Sequence, residues 1–220
     1  MIHRFWGGDH PDLYDILCRA TDPDRRILDA IGRLVPLQGA KVIDIGAGTG
    51  KYTRLLAPLV SHLLAVEPDR RLVALLRERT RELSNVTVHQ GRAQHLSVAA
   101  DEYDGALAFW AYFFGRGQEG LAEVERAVRP GGWQVVVQNY GNDQFSELWG
   151  EEDWECALWP RWFLAHGFTL EVVETDWRFA REDEAVALLG FLYGERGARF
   201  AQENWREFHF RAAVHWRYIG

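Results

Sequence analysis

The chain has 220 residues, of which 47% are hydrophobic and 26% charged, and its formal net charge at pH 7 is −7. This size and composition fit one α/β domain over residues 1–220 and exclude a disordered chain. The longest apolar run, 106–114, is too short for a membrane span, and the first nine residues lack the apolar segment of a signal peptide. With Cys18 and Cys156 as the only cysteines, we expect a cytoplasmic protein with free thiols and no membrane partner.

Aromatic and acidic side chains are concentrated in the second half of the chain. Residues 1–100 contain only four of the 29 Phe, Trp and Tyr side chains. Residues 1–110 carry 14 basic and 14 acidic side chains, whereas residues 111–220 carry 11 basic and 18 acidic ones. Because negative charge repels a phosphate backbone, we expect no nucleic-acid partner.

Apolar residues at helical spacing predict a helix over residues 24–35, ahead of a β-branched run, Lys41–Ile45, that stops at Gly46 and is typical of a buried strand. The two patterns then alternate. They predict strands at 62–66, 86–89, 103–110 and 133–139, and helices at 51–59, 70–83 and 118–128. Strands separated by helices form right-handed βαβ crossovers, so this order predicts a parallel sheet.

The pattern changes after the fifth predicted strand. Residues 145–165 have a helical pattern and hold four of the ten tryptophans, and an alternating run at 168–179 predicts a strand. Residues 182–204 predict a helix broken near 194–197, and the last run, 208–219, alternates apolar and polar side chains. A terminal strand of this kind predicts an antiparallel addition to the parallel sheet.

The most informative segment joins the first strand to the following helix and reads Val42-Ile43-Asp44-Ile45-Gly46-Ala47-Gly48-Thr49-Gly50. Alternate glycines permit positive φ angles and let a ligand lie against the backbone, where helix N–H groups point at it. Glu67 ends the next strand, 21 residues after Gly46, where its carboxylate can accept hydrogen bonds from ribose hydroxyls. Together these features predict a nucleoside site; the alternative is a glycine turn with a surface Glu that caps a helix.

Two other nucleotide motifs do not fit this loop. A P-loop has four residues between its glycines and then Gly-Lys-Ser/Thr, whereas here Tyr52 follows Lys51 and the spacing differs. A dinucleotide fingerprint has its third glycine where Lys51 stands. The G-x-G-x-G loop therefore suits a nucleoside without a pyrophosphate, and an NAD-dependent oxidoreductase is the weaker alternative.

On these residues the chain resembles the class I S-adenosylmethionine-dependent methyltransferases, with the similarity covering residues 35–140. Further matching segments are Val66-Glu67-Pro68, Gly91-Arg92-Ala93, Tyr103-Asp104 and the Arg-Pro-Gly-Gly turn before the fifth strand. The resemblance implies a Rossmann-like α/β fold, with a seven-stranded, mostly parallel sheet of order 3-2-1-4-5-7-6, strand seven antiparallel, and helices on both faces. Residues 1–35 would cover the site, 36–140 would bind the cofactor, and the Trp-rich 141–220 would complete the sheet.

The resemblance also implies S-adenosylmethionine as cofactor and S-adenosylhomocysteine as its product. Gly46, Ala47 and Gly48 would lie against the methionine part. Asp44 would reach its amino group through water, and Glu67 would hold the ribose. The implied cofactor-binding set is Asp44, Gly46, Ala47, Gly48, Gly50, Glu67, Pro68, Arg92, Ala93, Phe109 and Trp110.

One member of this set departs from the family pattern. Many relatives have an acid at the position of Arg92, where it accepts a hydrogen bond from the adenine amino group. Because Arg cannot accept, the Ala93 backbone or Gln94 would take that role. Phe109 and Trp110 end the fourth strand and would lie beside the transferred methyl group.

No general base is evident for a methyl transfer. Holding a nucleophile in line with an already electrophilic methyl group, with water excluded, supplies most of the effect. The weak candidates for a catalytic base are His10, Tyr14 and Tyr140, with Tyr112 and His166, and a structural role is the commoner explanation for each. No cluster has the spacing of metal ligands, so we expect no metal.

Aromatic side chains are expected at the carboxyl ends of the strands, where an aromatic pocket suits a flat or apolar acceptor. The candidate substrate residues are Trp6, Tyr14, Tyr112, Phe113 and Tyr140, with simple helix packing as the alternative. The Asn/Asp-Pro-Pro-Tyr motif of enzymes that methylate DNA adenine or protein glutamine is absent after the fourth strand. We predict a small-molecule acceptor methylated at oxygen or nitrogen; a non-catalytic cofactor-binding module is the alternative, and the sequence leaves the oligomeric state open.

Overall fold

The computed structural model of the protein describes residues 9–111, 119–144, 146–149 and 154–220. The strands are β1 (Lys41–Ile45), β2 (His62–Glu67), β3 (Val86–Gln90), β4 (Tyr103–Phe109), β5 (Val128–Asn139), β6 (Thr169–Arg178) and β7 (Glu207–Tyr218). The helices are α1 (Pro11–Ala20), α2 (Arg26–Leu34), α3 (Lys51–Leu56), α4 (Arg70–Thr80), α5 (Glu119–Ala127), α6 (Ser146–Trp149), α7 (Trp154–Ala165) and α8 (Glu182–Asn204). Strands and helices alternate from β1 to β3 and again from β4 to β5, whereas β4 follows β3 without a helix between them.

The strands of the described ranges form one seven-stranded sheet in the order β3-β2-β1-β4-β5-β7-β6. β1 pairs in parallel with β2 on one side and with β4 on the other. β7 pairs antiparallel with both β5 and β6. The predicted strand order and the antiparallel direction of the last strand are therefore confirmed. In open α/β sheets, ligands bind at the carboxyl ends of the strands where the order reverses, which here is between β1 and β4.

Alternating side chains of the central strands pack into two apolar layers, one on each face of the sheet. Val42 lies in the layer that contains Ile31 of α2, and the next residue, Ile43, lies in the layer that contains Val124 of α5. All four side chains are completely buried. Burial on both faces is why these strands read as continuous apolar runs. None of the helices in the described part of the chain is long and apolar enough to cross a bilayer.

α1 is the one described helix of the first half to which the sequence pattern assigned no range. Its signals are Pro11 at the first helical position and apolar side chains at Leu13, Ile16 and Leu17, which pack against the core. Ten residues give few repeats of the helical period, so the pattern is weak by itself. This helix matters because it lies over the glycine loop.

β5 begins at Val128, earlier than the predicted start at residue 133. Val128 pairs with Tyr103, and a register shift between Tyr103 and Gly105 accommodates the turn that follows Val128. A side chain at Gly132 would lie 2.7 Å from the Asp104 carbonyl oxygen, so only glycine fits there. The Pro-Gly-Gly turn therefore lies inside the strand rather than before it.

Two differences concern the helices of the second half. The helix predicted over 145–165 is described as α6 and α7, with the residues between them outside the described part. α8 has non-helical angles at Gly194, where φ is 64° and ψ is −148°. This confirms the predicted break, since glycine adopts such angles without steric cost.

Candidate functional site

The loop between β1 and α3 lies at the carboxyl edge of the sheet and contains three left-handed glycines. The φ angles of Gly46, Gly48 and Gly50 are 69°, 57° and 87°, which residues with a Cβ rarely adopt. The N–H groups of Gly46 and Ala47 donate to the Val66 carbonyl over 2.7 and 3.1 Å. These bonds hold the loop against the end of β2.

Two of the glycines are in close contact with other segments. A Cβ on Gly46 would lie 2.0 Å from the Cβ of Ala111, just beyond β4. A Cβ on Gly48 would lie 2.1 Å from the hydroxyl oxygen of Tyr14 in α1. Ala111 therefore packs directly against Gly46, and the Tyr14 side chain covers Gly48 in this conformation.

Glu67 connects the end of β2 to the glycine loop. Its Oε2 accepts a hydrogen bond from the Gly48 N–H at 2.9 Å, and its Oε1 accepts one from the Asp69 N–H at 2.9 Å. Burial raises the pKa of the Glu67 carboxyl, although these two bonds act in the opposite direction. The structure thus brings together the acid and the glycine that the sequence placed in one site. Its hold on a ribose stays a prediction.

Asp44 is a second buried acid, on the neighbouring strand β1. Its Oδ2 accepts a hydrogen bond from the Thr53 hydroxyl of α3 at 2.6 Å. Burial raises the pKa of Asp44 to about 6 despite that bond, and the charge of Glu67 acts in the same upward direction. Two acids whose charged forms are disfavoured therefore lie at adjacent strand ends, where a cationic ligand group would favour ionisation.

α1 lies across this edge and is attached to several other elements. Burial of the Tyr14 hydroxyl raises its pKa well above the usual value, with Cys18 and Glu67 nearby acting in the same direction. Asp15 forms a two-point ion pair with Arg79 of α4, with one N–O distance of 2.6 Å. Asp15 thereby joins α1 to the helix that follows β2.

Aromatic side chains form the neighbouring wall, at the end of β4. The rings of Tyr52 and Phe109 stack with their centroids 3.7 Å apart and 2° between their planes. The Trp110 indole N–H donates to Asn139 Oδ1 of β5 at 2.7 Å. Phe109 and Trp110 therefore lie at the carboxyl end of β4, and their position beside a transferred methyl group stays a prediction.

The predicted adenine-side residues lie just beyond β2 and β3. Pro68 and Arg92 are exposed, and Ala93 is half-buried. The Gly91 N–H donates to the Glu67 carbonyl at 3.1 Å, which holds this segment next to the end of β2. An exposed rim of this kind is open to a planar ligand, and the individual contacts stay predictions.

Three of the proposed bases, His10, Tyr140 and Tyr14, lie in different places. His10 precedes α1, and its ring contacts that of Phe191 of α8 at 4.5 Å. Tyr140 follows β5 with the Arg211 guanidinium 4.7 Å from its ring centroid. Tyr14 alone of these three is shown in contact with the glycine loop.

The expectation that His166 could face the site is wrong. The Arg217 guanidinium donates to the His166 carbonyl at 3.0 Å and to Gln134, which lies at the end of the β5 pairing with β4 that is opposite to the glycine-loop edge. His166 therefore lies at the opposite edge of the sheet, where its ring stacks on Trp162. His166 lies there because it directly follows α7, which leads the chain to the edge of the sheet where β6 begins. Three further predicted residues, Trp6, Tyr112 and Phe113, lie outside the described residues.

The residues at this edge fit S-adenosylmethionine. Left-handed glycines provide bare backbone, and Asp44 and Glu67 provide acids for an amino group and for ribose hydroxyls. Tyr14 conflicts with this fit, because a ligand on Gly48 would have to displace the Tyr14 hydroxyl. We found no group of three His, Cys, Asp or Glu side chains in the described ranges that could hold a metal ion.

Thr53 and Asp15 lie beside the site, and neither was predicted from the sequence. Thr53 has a weak signal, since a hydroxyl in the first turn of the helix after a glycine loop can face back toward the strand. No sequence signal points to Asp15, because its role depends on the packing of α1 on α4. Both depend on contacts between separate elements.

Comparison with known protein families identifies the kind of domain that contains this loop. A family model described as a methyltransferase domain matches residues 42–132. An uncharacterized methyltransferase of Mycobacterium tuberculosis (strain ATCC 25618 / H37Rv) is 31% identical over 111 residues, which are 50% of this chain and 44% of that protein. The chain thus spans less than half the length of that relative.

Two other relatives carry more specific names. A demethylmenaquinone methyltransferase of Corynebacterium kroppenstedtii is 39% identical over 107 residues, 48% of this chain and 44% of that protein. A ribosomal RNA small subunit methyltransferase A of Aromatoleum aromaticum is 41% identical over 81 residues, 36% of this chain and 29% of that protein.

Among solved structures, a Thermotoga maritima protein described as a possible histamine N-methyltransferase covers the whole length of both chains, with a TM-score of 0.59 and 18% identity. At that identity the likeness concerns the fold. It extends beyond residue 132, where the match to the family model ends.

Proposed function

We infer that this chain, which belongs to the class I S-adenosylmethionine-dependent methyltransferase family, transfers a methyl group from S-adenosylmethionine to a small molecule. The observation that carries the proposal is the pairing of a left-handed glycine loop with a buried acid of the next strand, through the Gly48 N–H and Glu67. Backbone and acid in this arrangement recognise a ribose and an amino-acid tail without a pyrophosphate.

Each site residue has a role in this proposal. Glu67 holds the two ribose hydroxyls, and Asp44 attracts the amino group of the methionine part. Gly46 and Gly48 allow the cofactor to lie against the backbone. The bound sulfonium supplies an electrophilic methyl group. The protein then contributes orientation and exclusion of water, since proximity alone accounts for a large part of the rate.

The choice of a small acceptor rests on the surroundings of the site. Tyr14, Trp110 and Tyr140 supply aromatic surface at the carboxyl edge or just beyond it, and such surface suits flat or apolar molecules. The acidic excess of residues 111–220 disfavours RNA, although one relative is named for ribosomal RNA. Oxygen or nitrogen is the proposed acceptor atom, in a cytoplasmic setting.

Calorimetry of the purified chain with S-adenosylmethionine and S-adenosylhomocysteine tests the cofactor. We expect saturable binding of both, and Glu67→Ala to weaken it about tenfold or more, because two hydrogen bonds of about 0.5–1.5 kcal/mol each are lost. Glu171→Ala, an exposed acid of β6, is the matched control and should bind as the wild type does. Equal affinities for Glu67→Ala and Glu171→Ala would contradict the role of Glu67.

Transfer of a labelled methyl group to small-molecule and RNA fractions of a cell extract tests the acceptor. We expect label in the small-molecule fraction. Label in RNA would overturn the acceptor class, and binding without any transfer would indicate the non-catalytic module instead. A thermal shift with NAD and none with S-adenosylhomocysteine would favour an oxidoreductase.

A further inference from the structure

Trp110 has a backbone conformation that aromatic residues rarely adopt. It directly follows β4, and its φ angle is 50°, in the left-handed region. Such angles persist where surrounding contacts enforce them, and they are frequent near functional sites. At this point the chain turns from β4 toward the glycine loop, since the next residue, Ala111, lies against Gly46.

Two hydrogen bonds from Trp110 to β5 hold this turn. The Trp110 backbone N–H donates to the Val137 carbonyl at 2.9 Å, and its indole N–H donates to Asn139 Oδ1 at 2.7 Å. The indole also lies 6.2 Å from the ring of Tyr52 and 6.2 Å from that of Phe210. Of the two bonds, the indole bond to Asn139 is the one that depends on a particular side chain.

Asn139 is itself firmly held. It is the last residue of β5 and pairs with Ala212 of β7, so it belongs to the sheet rather than to a loop. A rigid strand end is a suitable anchor for a residue that must stay in an unfavourable conformation. The anchor is provided by the second half of the chain, whereas the glycine loop belongs to the first half.

We propose that Asn139 is a positioning residue of the cofactor site: it holds the Trp110 indole and thereby keeps the turn that lays Ala111 against Gly46. The proposal rests on the proposed function, because it assigns a role at that same site. Asn139 acts through Trp110 and Ala111 on the first glycine. When the indole is released, Trp110 can return to an ordinary backbone conformation, Ala111 moves away from Gly46, and Gly46 loses the packing that keeps the loop in the conformation on which the cofactor would lie.

The hydrogen bond can be tested in the ligand-free protein. With 5-fluorotryptophan incorporated, the fluorine resonance of Trp110 is assigned by its loss in Trp110→Phe. We expect Asn139→Leu to move that resonance and Asn139→Asp to leave it near the wild-type position, since Asp keeps an acceptor oxygen at the same place. An unmoved resonance in Asn139→Leu would overturn the proposal.

The effect on the site is measured as affinity for S-adenosylhomocysteine. We expect Asn139→Leu to bind about tenfold more weakly, with affinity restored in Asn139→Asp, because one partly buried hydrogen bond typically corresponds to a change of up to that order. Trp110→Phe, which keeps a ring but loses the donor, should weaken binding to the same extent. The double variant Trp110→Phe/Asn139→Leu should bind no more weakly than either single variant, since each single substitution already removes the same hydrogen bond.

Asn204→Leu is the matched control, because its amide donates to the Phe200 carbonyl at the end of α8 and does not bond to the site. Where Asn139→Leu fails to fold, Trp110→Phe alone carries the test. If Asn139→Leu and Trp110→Phe bind S-adenosylhomocysteine as tightly as the wild type does, only the positioning role is overturned. A wild-type chain that binds no S-adenosylhomocysteine would overturn the proposed function, and this role with it.

Discussion

At the level of single residues, Asp44 and Glu67 are two acids buried at one edge of the sheet. Asp44 is 1% exposed and Glu67 is 6% exposed. Burial disfavours the charged form of each, so both pKa values are raised. Hydrogen bonds from Thr53 and Gly48 offset only part of this. A ligand with a positive charge would shift both acids toward ionisation.

This protonation equilibrium predicts a pH dependence of cofactor binding. The pKa of Asp44 is about 6, so the acid is mostly ionised at pH 7 and mostly protonated at pH 5. Only the ionised form attracts the ammonium group, so affinity for S-adenosylhomocysteine should fall about tenfold from pH 7 to pH 5. Calorimetry at both pH values measures it.

Asp44→Asn separates this acid from Glu67, whose raised pKa acts in the same direction. We expect the variant to bind more weakly than the wild type at pH 7 and to lose most of the pH dependence. Asp29→Asn, an exposed acid of α2, should keep the wild-type profile. The same tenfold fall in Asp44→Asn as in the wild type would refute the role of Asp44.

At the level of elements, α1 is a cover attached to helices on either side of the site. Asp15 pairs with Arg79 of α4, and Arg19 pairs with Glu184 of α8 at 3.0 Å. Tyr14 lies between these attachments and reaches Gly48. A cofactor that rests on Gly48 must therefore displace part of α1. The pair of Asp15 and Arg79, with both side chains more than two thirds buried, is the strongest candidate for the contact that resists this movement.

Arg79→Ala should loosen α1 without removing any part of the glycine loop. We expect amide hydrogen exchange in α1 to become about three- to tenfold faster, since a partly buried ion pair of this kind contributes roughly 1 kcal/mol. S-adenosylhomocysteine should also associate faster. Arg81→Ala is the control. Arg81 directly follows α4, and among the described contacts it pairs only with the exposed Glu82. Equal exchange rates in the two variants would show that Arg79 does not hold the cover.

At the level of the whole molecule, β7 joins the parallel part of the sheet to the edge strand β6, and it contains an unusual histidine. The His215 ring is completely buried and stacks on Phe163 of α7 with centroids 4.1 Å apart. Neither ring nitrogen has a hydrogen-bond partner among the described residues. Burial lowers the pKa of His215 to about 4. Protonation there would place an unpaired charge between the two parts of the sheet.

His215 should therefore make the fold sensitive to acid. Below pH 6.5 the unfolded chain binds a proton at this residue that the folded chain does not bind, so stability falls as the pH drops from 6.5 toward 4. Between pH 7.5 and pH 4.5 we expect a loss of about 2–3 kcal/mol from this group. Urea unfolding at both pH values should show a smaller loss in His215→Leu. The raised pKa of Asp44 has the opposite effect on stability. It contributes equally to the wild type and to His215→Leu, so it cancels when the two losses are compared. Identical losses would contradict the assignment.

The individual strands and the core of the site could be predicted because their signals are local, whereas the strand order followed from the resemblance to the methyltransferase family. A buried parallel strand is a run of β-branched residues, and the glycine loop must have glycine at positions with left-handed φ angles, such as Gly46 and Gly48. Glu67 could be placed beside them because parallel strands end at one edge. Boundaries were less certain where pairing decides them, as at Val128, which joins β5 through a register shift.

The amino-acid sequence alone thus determined the fold, the loop and the acid that faces it. Only the tertiary structure decided that Tyr14 covers Gly48, that Asn139 holds Trp110, and that His166 lies at the far edge. These contacts join residues that are distant along the chain. Their physical basis is the packing of α1, β5 and α7 against one sheet, which no local pattern of side chains encodes.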